Sequence, residues 1–413
     1  MRKLFYNGDI LTMESPRPAE AVLTEGERII AVGELNALSR FAGRHAEIID
    51  LDGGALLPGF VDCHSDFGAV VRRILRESDG PLPRHSARAV RNAVRQAAEA
   101  YAARGITVLH GRGMTAETVK LLSHSDLPLP LMAVADIGDY EETKRAMVGA
   151  RGEMRLCGMS LDLDVTDDGG EATGALAYCD RAVGYALRMA AAEGVSLTAR
   201  AASAEAVAQL LRVGRAMSRV CPELIAARPV LLDARLLSPT DLESARHLGI
   251  VPCFAVDVLP CRGDDYLVAY GTEYTSRLTP LASARRAGVP YTLCEGLARA
   301  DGVPDPIALL CAAVERKTVR GIVPGACERA SVYEALRALT LHGAWRYHAE
   351  REWGSIRAGA RASLVWLDRS PLGVPTRELG DLRPLATFAA GETVSCAERQ
   401  NISTQEDRVL SVY

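Results

Sequence analysis

The sequence predicts an α/β protein: a (β/α)8 TIM barrel with a small β-sandwich module formed by the N- and C-terminal segments. Three observations carry this. Eight apolar strand candidates, beginning near Phe60, Ile106, Leu131, Leu156, Val195, Pro229, Ile250 and Pro290, alternate with helical segments, which is the count of a closed parallel barrel. Short strand-like runs with turn chemistry stand before the first and after the last of these. No glycine-rich phosphate loop follows the first strand of the alternation, so a doubly wound open sheet is the weaker alternative. With 413 residues, 48% of them apolar, the chain can bury a large core, and global disorder is excluded.

Residues 1–57 read as the first part of the β-module. LFYNGDILTM and AVLTEGERIIAV alternate around Asn7-Gly8 and Glu25-Gly26, and AEIIDLDG follows. Residues 58–350 read as the barrel. Its helices include SARAVRNAVRQAAEAYAARG, RAVGYALRMAAAEG, AEAVAQLLRVGRAM and PIALLCAAVERKTVRG. Ser238 precedes Pro239 as a cap before a proline in the first turn, and Ser331 with Glu334 has capping-box spacing. SVYEALRALTLHGAWRYHA reads as the last long helix. The strand-like pieces ASLVWLD and PLATFAAGETVSC then place the rest of the module in 351–396, and 397–413 is a polar tail.

The formal net charge of -4 argues against a dominant polyanion-binding surface, so neither nucleic acid nor an acidic membrane is an expected partner. No apolar run approaches a membrane span. The ten cysteines are scattered without a CxxC pair, which points to a reduced, cytoplasmic setting and not to a disulfide scaffold. A small-molecule substrate and a homo-oligomer fit this composition. The chain has only eight His and four lysines (Lys3, Lys120, Lys144 and Lys317), so its chemistry must draw on those or on carboxylates.

In a parallel barrel the working residues lie at the C-terminal strand ends. Strand one ends VDCHSDF and offers His64 and Asp66, two apart and so on one side. The following strands offer His110 and Arg112, Asp136, Asp162 and Asp164, Arg200 and Ser203, Asp233 and Arg235, Asp257, and finally Glu295. His110 reads as a ligand, a proton carrier or a hydrogen-bonded structural group. Asp162, Asp164, Asp167 and Asp168 lack the full calcium-loop pattern and fit a solvated loop or a helix cap better. A nucleophilic thiolate at Cys63 or Cys294 would need His64 or His110 as its base.

LLPGFVDCHSDF resembles the entry to the barrel in the amidohydrolase superfamily. NGDILTM, GERIIAVG, EALRALTLHGAW, GSIRAGARASLVWLDRSPLGVP and LATFAAGETV are similar to the same superfamily. The closing segments resemble the branch of metal-dependent TIM-barrel hydrolases that includes N-substituted formamide deformylase. The resemblance implies hydrolysis of a non-peptide carbon–nitrogen bond in a small molecule by a metal-activated water. Carried over by position, His64 matches the first His of the family's HxH pair, while Asp66 stands at the second. Ala199 and Asp233 stand at the strand-five and strand-six His positions, and Cys294-Glu295-Gly296 at the Ser-Asp of strand eight.

Two interpretations use these same residues. In one, His64, Asp66 and Asp233 hold a divalent ion (Zn, Mn, Fe or Mg), with Glu295 and His110 as the catalytic groups. In the other, Arg112, Arg200 and Arg235 neutralise the carboxylates in a metal-free barrel that is catalytically silent or serves binding or assembly.

Overall fold

The structure is a computed structural model that describes residues 1–79, 86–123, 125–167, 172–296 and 299–397. Arg84, His85, His124, Asp168 and the tail beyond Ala397 lie outside the described residues. Eight parallel strands follow one another in chain order: Phe60–Val61, Ile106–Gly111, Leu131–Asp136, Met154–Asp162, Ser196–Arg200, Val230–Leu232, Val251–Ala255 and Thr292–Cys294. These are barrel strands one to eight, and their starts match the apolar runs of the sequence. Among the described residues no hydrogen-bonded ladder joins strand one to strand eight. The two strands span two and three residues, too few to form an extended ladder across that seam.

Between the strands run helices whose starts follow local capping chemistry. Ser86, Thr115, Ser203 and Ser331 each accept a backbone N–H of the following first turn. Ser238 forms a complete capping box with Asp241 ahead of Pro239. At Ser331 only half of the expected box is made: Ser331 accepts from the Glu334 amide, while the Glu334 carboxylate reaches toward Arg337 at 4.0 Å. Asp164 braces the cap residue Ser203, since it accepts from the Ala202 amide at 2.6 Å and from the Ser203 hydroxyl. An antiparallel hairpin, Asp164–Thr166 with Ala172–Leu176, follows strand four and was not evident from the sequence.

The last long helix is broken. It runs Val332–Leu339 and then Leu341–Arg346, with Thr340 at φ -129°, ψ -85°. The break re-aims the second piece into the barrel interior. Arg346 and Tyr347 are buried there with Val61, Cys63, Val108, Cys253 and Cys294. A larger cluster fills the space between the strands and the outer helices.

The two chain ends share one hydrogen-bonded sheet of eight strands. Ala55–Pro58 lies at its centre, parallel to Arg2–Ile10 and antiparallel to Leu364–Leu367. Gly59 is the hinge from module to barrel, and a Cβ there would overlap the Thr107 side chain. This close approach of strands one and two is the physical content of the PGF sequence. No helix among the described residues is long and apolar enough to cross a membrane.

Candidate active site at the barrel mouth

The turn after strand one is built by a buried carboxylate. Asp62 accepts from the amides of His64 (3.1 Å), Ser65 (3.2 Å) and His110 (3.3 Å), and from the Ser65 hydroxyl. Burial raises its carboxyl above the ordinary range, and these donors oppose that rise. From below, Arg346 donates to the Cys63 carbonyl and Tyr347 donates to the Asp62 carbonyl at 2.9 Å. His64 is therefore held on a backbone fixed from two sides. Its Nδ1 is buried and has no hydrogen-bond partner among the described residues. Burial, with Arg112, Arg346 and Arg200 nearby, pushes its imidazole down to about 3, so the ring is neutral at physiological pH.

The other expected site residues are placed differently. His110 is fully buried, with Nδ1 2.7 Å from the Tyr347 hydroxyl, and burial holds it well below the usual imidazole value. It is a packed, hydrogen-bonded group that supports strand one through the Asp62 contact. Asp66 caps the helix Phe67–Asp79, accepting from the Ala69 amide at 2.8 Å, and faces Arg72 at 3.6 Å. Asp233 is 4% exposed and has φ +57°. Arg235 grips both of its oxygens, at 3.0 and 3.2 Å, and Arg200 adds a third contact at 3.3 Å. Arg235 also donates to the Tyr266 hydroxyl at 2.8 Å.

The ligand set His64, Asp66 and Asp233 does not assemble. Among the described residues, no group of three or more His, Cys, Asp or Glu is placed to hold a metal ion. The physical reason is that each carboxylate already has work: Asp66 caps the start of a helix, and Asp233 neutralises two guanidiniums. A divalent ion beside His64 would also face the same three cations that depress its imidazole. The thiol alternative fails as well. Cys63 and Cys294 are buried; burial pushes the Cys63 thiol up to about 12, and the neighbouring Cys253 thiol with burial also raises Cys294.

Glu295 differs from the other carboxylates. It accepts the Asp305 amide at 3.0 Å and meets Arg299 only at 3.9 Å. Burial lifts its carboxyl to about 7, with Asp257 and Asp305 adding to the rise. His64 and Glu295 line one cavity of about 340 Å³, within the usual range for small-molecule sites. The sequence did not single out Arg346, Tyr347, Arg73 or Arg299 for this region. Arg346 lies on a stretch that reads as an ordinary amphipathic helix, and only the run Trp345-Arg346-Tyr347 hints that a cation is held among rings, as it is over Tyr347 at 5.1 Å.

The sequence pattern of the Amidohydrolase family matches residues 67–395. A segment of 115 residues is 36% identical to N-substituted formamide deformylase of Arthrobacter pascens, covering 28% of this chain and 21% of that protein. A segment of 69 residues is 36% identical to imidazolonepropionase of Acinetobacter baumannii, covering 16% of this chain and 17% of that protein. The matches thus span about a fifth of these relatives. Among solved structures, an uncharacterized metal-dependent hydrolase from Pyrococcus furiosus superposes with TM-score 0.70 at 16% identity, over 90% of this chain and all of that one. An adenosine deaminase from Xanthomonas campestris with bound zinc gives 0.66 at 15% identity, over 94% of this chain and 92% of that one. At these identities the structural likeness speaks to the fold.

Proposed function

The chain belongs to the amidohydrolase family, and from that premise we propose that it hydrolyses a carbon–nitrogen bond other than a peptide bond in a small molecule, with Glu295 in place of a metal drawing the proton from water. The observation that carries this reading is the pairing of Glu295, lifted to about 7, with the neutral His64 in one cavity. A base is most effective when its own value lies near the working pH. Ionised Glu295 takes a proton from water as the oxygen adds to the amide-like carbon. The His64 ring hydrogen-bonds the substrate carbonyl oxygen. The tetrahedral adduct then collapses, the carbon–nitrogen bond breaks, and Glu295 returns its proton to the leaving nitrogen. A metal does not fit the donor set and takes no part in these steps.

The test is turnover of a panel of formamides, acyl amides and cyclic amides by protein stripped with a chelator, with metal content measured on the same sample. Hydrolysis that persists with metal far below one equivalent supports the proposal. Activity that appears only on adding Mn or Zn overturns it. The clamp on Asp233 by Arg200 and Arg235 favours a second reading, a barrel that binds a small molecule without converting it. Absence of turnover across the panel, with and without metal, selects that reading.

A further inference from the structure

The cavity that holds His64 and Glu295 lies where strand one and strand eight fail to pair. Phe60 and Val61 form one wall and Leu293 and Cys294 the other, and Ile106, Leu309 and Leu339 line it further. At its mouth end it is lined by Arg73, Arg76, Arg112 and Arg299, against the carboxylates of Asp62, Asp66 and Glu295. Asp66 is engaged by its helix and by Arg72, while Arg112 meets its nearest carboxylate, Asp162, only at 3.8 Å. Arg73 pairs with the exposed Glu77 at 3.1 Å, and Arg299 meets Glu295 and Asp305 only at 3.9 and 4.0 Å, so one end of the cavity carries guanidiniums whose pairing is loose or solvent-exposed and the other end is hydrocarbon. Hydrogen-bonded strands would leave no such space, so the site is a product of the unpaired seam.

We infer that this seam binds an anionic amphiphile, a carboxylate with an unbranched apolar tail, with the carboxylate at the arginine rim and the tail between strands one and eight. The inference rests on the proposed hydrolysis for its chemistry, since it names the class of substrate that reaction would take. Guanidiniums recognise carboxylates through paired N–H donors, and apolar walls reward each methylene removed from water. Glu295 and His64 lie along the same cavity, where a carbon–nitrogen bond near the head of such a molecule would sit.

Calorimetric titration of the intact protein with butanoate, hexanoate, octanoate and decanoate tests this without requiring turnover. Affinity is expected to rise roughly three- to four-fold per added methylene until the cavity is full. Decyltrimethylammonium, with the same tail and the opposite charge, is expected to bind far more weakly. Equal binding across the acid series, or equal binding of the cation, overturns the inference. R112Q is expected to weaken every acid about ten-fold and leave the length dependence intact. L309W is expected to shorten the longest tail accepted; circular dichroism checks that it folds, and the wild-type series decides the matter if it does not. Length-dependent binding with no hydrolysis of amides built on the same tail overturns the proposed reaction alone. Hydrolysis without length dependence overturns the seam alone.

Discussion

The two sides of the barrel mouth treat buried charge in opposite ways. On the side of strands five and six, Asp233 is held by two arginines, with all three side chains less than a fifth exposed. On the side of strands one and eight, Glu295 meets Arg299 only at 3.9 Å, and the Nδ1 of His64 has no hydrogen-bond partner among the described residues. Paired charges hold a structure in place and react poorly, because each is stabilised in the form it already has. Groups displaced from their ordinary values beside open space are the ones able to exchange protons with a ligand. Within one ring of strands, charge is thus closely paired on one side and loosely paired on the other.

Four measurements would break or sharpen this contrast. The largest expected effect is on the seam side: E295Q should lower turnover about 10²–10⁴-fold, the usual worth of a general base. Wild-type kcat/KM should rise with pH through a value about 7 if Glu295 is that base. On the other side, D233A should leave folding compromised and not chemistry, at a cost of about 3 kcal/mol in urea denaturation, because two half-buried guanidiniums lose the carboxylate they share. Apolar replacement of Asp233, Arg200 and Arg235 together should recover much of that loss.

The third measurement is stability against pH. Burial lifts the Glu295 carboxyl from 4.5 to about 7, so the folded state binds this proton more tightly than the unfolded chain does. Its contribution is complete below 4.5 and is lost as the pH rises toward 7, and E295Q should remove that slope. His64 acts in the opposite sense. Its folded value of about 3 lies below the reference 6.5, so its contribution is complete above 6.5 and is lost on acidification toward 3. The smallest effect is D66A, expected to cost about 1 kcal/mol as a lost helix cap and to leave metal content unchanged.

Much of the scaffold was legible in the residues. The eight strand starts follow from apolar runs, the cap at Ser238 from Ser-Pro spacing, and the shared terminal sheet from strand-like runs at both ends. The candidate site was legible as a set of residue types and not as an arrangement. Asp66 and Asp233 are the same residue type at strand ends, and nothing local distinguishes a helix cap from an arginine clamp. That choice depends on Arg72 nearly two turns along a helix and on Arg200 from a neighbouring strand. The break at Thr340 was equally hidden, because the helical pattern runs through it. What redirects the chain is the room available inside the barrel for Arg346 and Tyr347.

Arg346 reaches the Cys63 carbonyl across 283 positions of sequence, and Leu364–Leu367 pairs with Ala55–Pro58 across a similar distance. Contacts of such separation slow folding, because a very long loop must close before any of them forms. During synthesis the floor beneath His64 cannot be laid until residue 346 has left the ribosome, and the central strand of the terminal sheet waits longer still for its partner. The nascent chain therefore carries an unfinished barrel and an exposed strand edge through most of its translation, a period in which a chaperone has the most to do.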